Sequence, residues 1–284
     1  MRNGLAAVAL VGLVGSTMAL AAEPAPDVAP DVAEVVAAGR SADIVILGEI
    51  HDNPVHHATQ AAVVAALRPA ALVFEMIPQA LENEVNVLRE EGAGRDRIAA
   101  ALHWSESGWP DFAFYAAILE AAPEARVFGA GQPQADVGRA ASEGAAVAFG
   151  PDAATYGLDR PLAPEDLAAR EADMQVAHCG KLPPEMLAGM VEAQRFRDAG
   201  LADAAVWART MTGDGRVVVI AGSGHADRLR GVPAALAVAD PDLSVLSVGQ
   251  FEAEPEAPRD YDLVLLAPSP ERPDPCAAFE GRGG

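Results

Sequence analysis

Residues 43–76 read DIVILGEIHDNPVHHATQAAVVAALRPAALVFEM. The two ends, DIVILG (43–48) and ALVFEM (71–76), are short apolar runs with β-branched residues, the pattern of buried strands. Between them Asp52 or Asn53 can cap a helix and Pro54 suits its first turn. Alanines and valines then recur at helical spacing. A strand–helix–strand unit of this length predicts two parallel strands joined by a crossover helix.

The same alternation continues along the chain. Strands are expected at ARVFGA (125–130), RVVVIAG (216–222), LSVLSV (243–248) and YDLVLLA (261–267). Runs such as VVVIAG are apolar on both faces, as in strands covered by helices on each side. QALENEVNVLREEGAGRDRIAAALHW, APEDLAAREADMQVAH and PPEMLAGMVEAQRFRDAGLADAAVWARTM all read as helical, the last amphipathic. The fold class is therefore α/β: a mostly parallel sheet flanked by helices, with a smaller helical subdomain inserted between strands. Its domain spans 39–270, with helical insertions near 78–115 and 150–210 and a C-terminal tail at 271–284.

The N-terminus reads as an export signal over residues 1–22. Arg2 precedes a short apolar run, and Ala19-x-Ala21 suits a signal peptidase. An uncleaved anchor is the alternative, but Gly12, Gly15, Ser16 and Thr17 interrupt the run. Residues 23–38, which include AEPAPDVAPDV, read as a flexible leader. No cysteine follows the apolar run to accept lipid, so the expectation is a periplasmic protein with no stable membrane span after cleavage.

Lys and Arg number 20 against 41 Asp and Glu, a net charge of −21. That balance excludes a nucleic-acid partner, which needs a basic face, but leaves room for a small anionic ligand held by local arginines. The two cysteines, Cys179 and Cys276, sit in turn-rich contexts that favour one disulfide in an oxidising compartment. Two separate buried thiols, or a metal-bound Cys179 beside His178, are the alternatives.

Ligands of an open parallel sheet bind beyond the carboxyl ends of its strands. By that rule Glu49 and His51 after the first strand, Glu75 at the end of the second and His225 after the fourth converge on one rim. Gly48 and Gly222 let the backbone turn or approach a ligand closely. Gly222-Ser223-Gly224-His225 would present amides to an anion. A Glu–His–Glu–His set suits acid–base chemistry, or a divalent metal held by His51, His225 and Glu49. The hydrolase this describes would be a periplasmic esterase or peptidase. Ser223 lacks the G-x-S-x-G context of a nucleophile elbow. His56 and His57 stand on the first turn of the crossover helix, either solvated or at the rim, and Asp52 reads as a cap.

Several stretches together resemble the ChaN family of bacterial haem-binding proteins: LGEIHDNPVHHATQ, LVFEMIPQ, HWSESGWPDFAFY, AHCGKLPPEML, MVEAQRFRDAGLA and IAGSGHADRLRGVPAAL, with DPCAAF near the C-terminus. The resemblance runs from about residue 40 to 236. It implies a parallel α/β domain with a small helical domain, and haem binding linked to iron acquisition. It also implies a homodimer, since at least one member holds paired haems between protomers. The wider superfamily, with Tiki proteases and erythromycin esterases, shares two G-x-x-H motifs and a Glu, matched by Gly48–His51, Gly222–His225 and Glu49 or Glu75. Two departures are the missing lipid-accepting cysteine and Leu201 where the family often has Met. Haem needs an apolar slot, an axial ligand and cations for its propionates. Axial candidates are His51, His225, His178 and Tyr115; Arg195, Arg197 and Arg209 are propionate candidates. Trp104, Trp109, Phe112 and Phe114 would form either the slot or, the favoured reading, core. The leading expectation is an exported haem-binding protein, with the hydrolase as the alternative.

Overall fold

The computed structural model describes Met1 and residues 30–255, 260–274 and 276–277. Apart from Met1, the expected signal segment lies outside the described residues, as does the leader up to residue 29.

Six strands form one all-parallel sheet, β1 (Ile44–Glu49), β2 (Ala71–Pro78), β3 (Arg126–Gly131), β4 (Val217–Gly222), β5 (Val245–Phe251) and β6 (Leu263–Leu266), in the order β3-β2-β4-β1-β5-β6. Each strand lies within a few residues of its expected place. β1 is central, with Ile44 registered against both Val217 and Val245. Its side chains alternate between two cores: Val45 and Leu47 join Leu72, Phe74, Val218 and Ile220 on one face, while Ile44 and Ile46 join Val73, Val217 and Val219 on the other.

The crossover helix α2 (Pro54–Leu67) starts where Asn53 accepts a hydrogen bond from the Val55 amide at 3.0 Å. Asp52 is not the cap; it pairs with Arg272 of the tail at 2.7 Å. The helix stops at Arg68, which turns left-handed (φ 47°) ahead of Pro69, a residue type that disfavours helix before it. α1 (Pro30–Gly39) corrects the flexible-leader expectation over residues 30–38. It buries Val32, Val35 and Val36 against the α2 face, a contact whose apolar spacing is masked by the surrounding prolines and alanines.

The first insertion is broken into α3 (Glu82–Glu90), α4 (Arg95–Ala101) and α5 (Trp104–Ser107), followed by α6 (Phe112–Ala121). Gly92, at φ +68°, ends what the sequence suggested as a longer helical run. These helices pack on the same sheet face as α2, and Trp104, Phe112 and Tyr115 are core there. The opposite face is covered by α7 (Gln134–Glu143), α8 (Ala145–Phe149), α10 (Pro184–Met211) and α11 (Val232–Ala239). α10 meets the sheet through Ala199, Ala202, Ala205 and Ala208, small side chains that let a long helix lie close. α9 (Pro164–Ala177) is different, because none of its residues is buried. Among the described residues no helix is long and apolar enough to cross a membrane.

Cys179 and Cys276 are bonded, with Cα atoms 5.6 Å apart, joining the α9–α10 turn to the tail across 97 residues of sequence. Closing a loop of that length restricts the unfolded chain by roughly 4–5 kcal/mol. Reduction with dithiothreitol should therefore lower the denaturant midpoint while the circular dichroism of the native baseline persists. An unchanged midpoint would show that the cross-link adds no stability.

Candidate functional site

β1 and β4 lie side by side, yet the chain leaves β1 for α2 on one face and β4 for α11 on the other. A crevice opens at such a point beyond the carboxyl ends. Here α9 and α10 wall it into a cavity of about 620 Å³, within the range of small-molecule sites. His51, Glu75, Gly222, Gly224 and His225 form its floor.

Two buried polar clusters make up that floor. In the first, Glu49 Oε1 accepts from the Tyr115 hydroxyl at 2.9 Å and lies 2.9 Å from His51 Nδ1. His57 Nδ1 stands 3.2 Å from Glu49 Oε2, and its Nε2 is 2.8 Å from the His51 carbonyl oxygen. His51 remains about one-third exposed (34%), with Trp109 edge-on at 4.9 Å. Burial works against charge on His51, but the hydrogen bond that it donates to Glu49 and the nearby charges of Glu75 and Glu49 outweigh it and raise its pKa. Gly222 has a steric reason: a Cβ there would lie 3.1 Å from His51 Nε2.

In the second cluster His225 lies between two carboxylates. Its Nδ1 is 2.6 Å from Asp198 Oδ1 and its Nε2 is 3.2 Å from Glu75 Oε1. Burial opposes the charge, but Glu75 and Asp198 together lift its pKa to about 10. Burial likewise raises the Glu75 pKa on its own, yet the charge and hydrogen bond of His225, with the Gly222 amide at 2.8 Å, bring it well below the usual range. Asp198 is pushed up by burial against the pull of His225, Arg197 and Arg170. With a carboxylate at each nitrogen, His225 is a donor on both sides. It has no lone pair to offer a metal or a substrate proton.

The expected rim is thus assembled in part. His51, Glu75, Gly222, Gly224, His225 and Arg197 line the cavity, and Glu49 lies beneath His51. The metal set of His51, His225 and Glu49 does not form: among the described residues no three His, Cys, Asp or Glu side chains are placed to hold an ion. The physical reason is that carboxylates occupy both nitrogens of His225, and that Glu49 faces Tyr115, His51 and His57. Gly48 does not face the cavity either; its α-carbon packs against Ser223, where a Cβ would come within 2.8 Å of Cα. The anion-binding amide expected of Gly222 is taken by Glu75, and Ser223 donates its hydroxyl to the Gln250 carbonyl at 2.8 Å.

Tyr115 is buried, its hydroxyl held by Glu49 and its pKa driven up by burial, so it is no cavity ligand. Arg195 caps the carbonyls of Gly157, Leu158 and Arg160 and pairs with Glu192. Arg209 pairs with Asp43 at the opposite, amino end of β1. His178 does line the cavity, with Nδ1 2.8 Å from the Met174 carbonyl. Trp104 and Phe112 are core and Trp109 is lining, while Phe114 stacks on His57 at 4.9 Å. His56 is structural, its Nδ1 accepting from the Ile50 amide at 2.9 Å.

Sequence reasoning missed Asp198, Arg170, Arg230, Met174 and Met190, all of which line the cavity. Asp198 had one usable signal. It is a carboxylate set into the small-residue face of a long helix, just before Ala199-Gly200-Leu201-Ala202, and such a group needs a buried partner.

The His225 pairing has a pH signature. Its folded pKa of about 10 lies above the unfolded value of about 6.5. The stabilisation is therefore complete below about pH 6.5 and is lost as pH rises toward about 10. Urea unfolding should show that decline in the wild type and a flatter profile in His225→Gln over the same window. Parallel profiles would mean that His225 is not held as a cation.

A profile of the family described as haem-binding uptake, Tiki superfamily, ChaN matches residues 35–236. Among solved structures, the chain is similar to ChaN of Campylobacter jejuni, described as binding haem cofacially. The TM-score is 0.63 at 20% identity, over 82% of this chain and 91% of that one, a likeness of fold. The type III effector HopBA1 overlaps at a TM-score of 0.47 and 12% identity, over 84% of this chain and 94% of that one, too distant to bear on the site. Comparison with curated proteins gives no match. The profile spans most of the chain, including both walls and the floor of the cavity, and on that match the chain belongs to the ChaN haem-binding family of the Tiki superfamily.

Proposed function

We propose that this protein is exported to the periplasm and binds haem in the cavity at the carboxyl ends of β1, β2 and β4, in the service of haem or iron uptake. The observation that carries this reading is the composition of the cavity wall. Met174, Met190, Val191 and Trp109 supply apolar and polarizable surface, and Arg170, Arg197 and Arg230 supply cations. Those are the two surfaces that a flat apolar dianion requires. When bound, haem supplies the iron that such a protein would carry.

The arginines are not equivalent. Arg230 pairs with Asp173 at 2.7 Å and Asp166 at 3.3 Å, and Arg170 pairs with Asp166 at 3.0 Å. Arg197 has a hydrogen bond to the Gln194 side-chain oxygen at 2.7 Å, while its Nε is buried without a partner. That makes Arg197 the best placed of the three to receive a carboxylate. His51 is the imidazole suited to iron. Glu49 holds its Nδ1, the arrangement that orients and strengthens a metal-ligating histidine, and Nε2 stands beside Gly222 on the floor.

Export rests on residues 1–22 and accords with the disulfide. The homodimer belongs to the same proposal: Val176 on α9 and Met186 at the start of α10 are both exposed. A hydrolase remains the second reading, because an imidazole oriented by Glu49 and facing a cavity can also serve as a general base.

Haemin titration of the purified protein tests the first reading. A saturable Soret shift is expected at stoichiometric ratio. His51→Ala should weaken binding beyond the roughly 10–100-fold cost of losing an outer-shell partner, and Arg197→Ala by about tenfold. Binding no stronger than to an unrelated acidic protein would sink the haem reading. Ester or peptide hydrolysis abolished by His51→Ala would then favour the second.

A further inference from the structure

The geometry points to Tyr115 as a positioning residue: acting through Glu49, it sets which nitrogen of His51 faces the cavity. The functional consequence rests on the reading of His51 as the haem-facing imidazole; the structural claim does not. Tyr115 comes from α6, 66 residues from Glu49 in sequence, and no strand-end motif marks it. It is buried, with its ring against Trp104 at 5.1 Å and His57 at 4.7 Å.

Its hydroxyl donates to Glu49 Oε1 at 2.9 Å, the oxygen that His51 Nδ1 approaches at the same distance. A carboxylate oxygen only accepts, so the nitrogen facing it must carry the proton. With the proton on Nδ1, a neutral His51 keeps its lone pair on Nε2, beside Gly222 at the cavity floor. The other carboxylate oxygen, Oε2, accepts no hydrogen bond among the described residues; His57 Nδ1 lies 3.2 Å from it without hydrogen-bond alignment. The phenol is therefore the contact that keeps Oε1 turned toward His51. With phenylalanine at 115 the ring packing survives, but the carboxylate is free to turn toward His57 and Nδ1 loses its fixed acceptor.

Nitrogen-15 NMR of histidine-labelled, haem-free protein reads the tautomer directly, in buffer alkaline enough for His51 to be neutral. The expected result is an Nδ1–H tautomer in the wild type and a mixture in Tyr115→Phe. If His51 stays Nδ1–H in Tyr115→Phe, the proposal is overturned. Haemin transfer to excess apomyoglobin is measured in parallel. Tyr115→Phe should release haemin about tenfold faster, the scale of an outer-shell loss, and should add nothing in a His51→Ala background. Equal acceleration in both backgrounds identifies a packing role and overturns the proposal. A tautomer shift with haemin release indifferent to His51→Ala supports the role of Tyr115 and removes the haem reading of His51 instead.

Discussion

Of the four carboxylates buried among the described residues, three, Glu49, Glu75 and Asp198, surround the two floor imidazoles, and the rest of the site follows from neutralising them in place. An unpaired buried carboxylate costs several kcal/mol, and removing one partner of a buried pair costs about 3–5 kcal/mol. His225 answers two of them at once, and His51, His57 and Tyr115 surround the third. The polypeptide reaches this arrangement from five separate segments, because β1, β2 and β4 end at one edge, α6 brings Tyr115 onto Glu49 and α10 crosses behind them. A parallel sheet with crossover helices brings such distant groups together without any local sequence signature.

The same constraint explains how a chain of net charge −21 can offer cations to a ligand. Arg170 and Arg230 are held to the cavity wall by Asp166 and Asp173 from α9. Those acids fix the geometry of the guanidiniums and offset part of their charge. α9 itself buries nothing. Its place over the cavity depends on these ion pairs, on its packing along α10 and on the disulfide at its end. That wall is thus polar and covalent in its attachment, while the floor beneath it is fixed by the sheet.

How much of this was legible in the sequence depended on whether a residue's role followed from its place on a strand. The six strands and the rim residues Glu49, His51, Glu75 and His225 could be read, since strand ends of a parallel sheet share an edge. Gly48 and Tyr115 were misread for a reason the chain order does not encode, namely the direction in which a side chain or α-carbon faces. Gly48 ends the same strand as Glu49 but turns toward Ser223, and Tyr115 points from α6 down onto Glu49. Asp198 was missed because its partner is 27 residues away on another element. α1 was hidden by a leader-like composition, in which prolines obscured the short apolar face that docks on the core.

The two floor imidazoles show how one residue type is assigned opposite tasks by the number of carboxylates it meets. His225 has one at each nitrogen, is buried to 4% exposure and is a fixed cation. His51 has one at Nδ1 only and keeps its other nitrogen toward a cavity it shares with solvent. A cation within the floor adds to the positive character that the arginines provide, while a neutral imidazole with its Nε2 toward the cavity is what the proposed haem reading uses. The G-x-x-H pattern occurs twice in the chain, at Gly48–His51 and Gly222–His225, and would suggest twin ligands. The environments separate them: one motif repeat is locked between two carboxylates, and the other, in the haem reading proposed above, turns its Nε2 to the ligand.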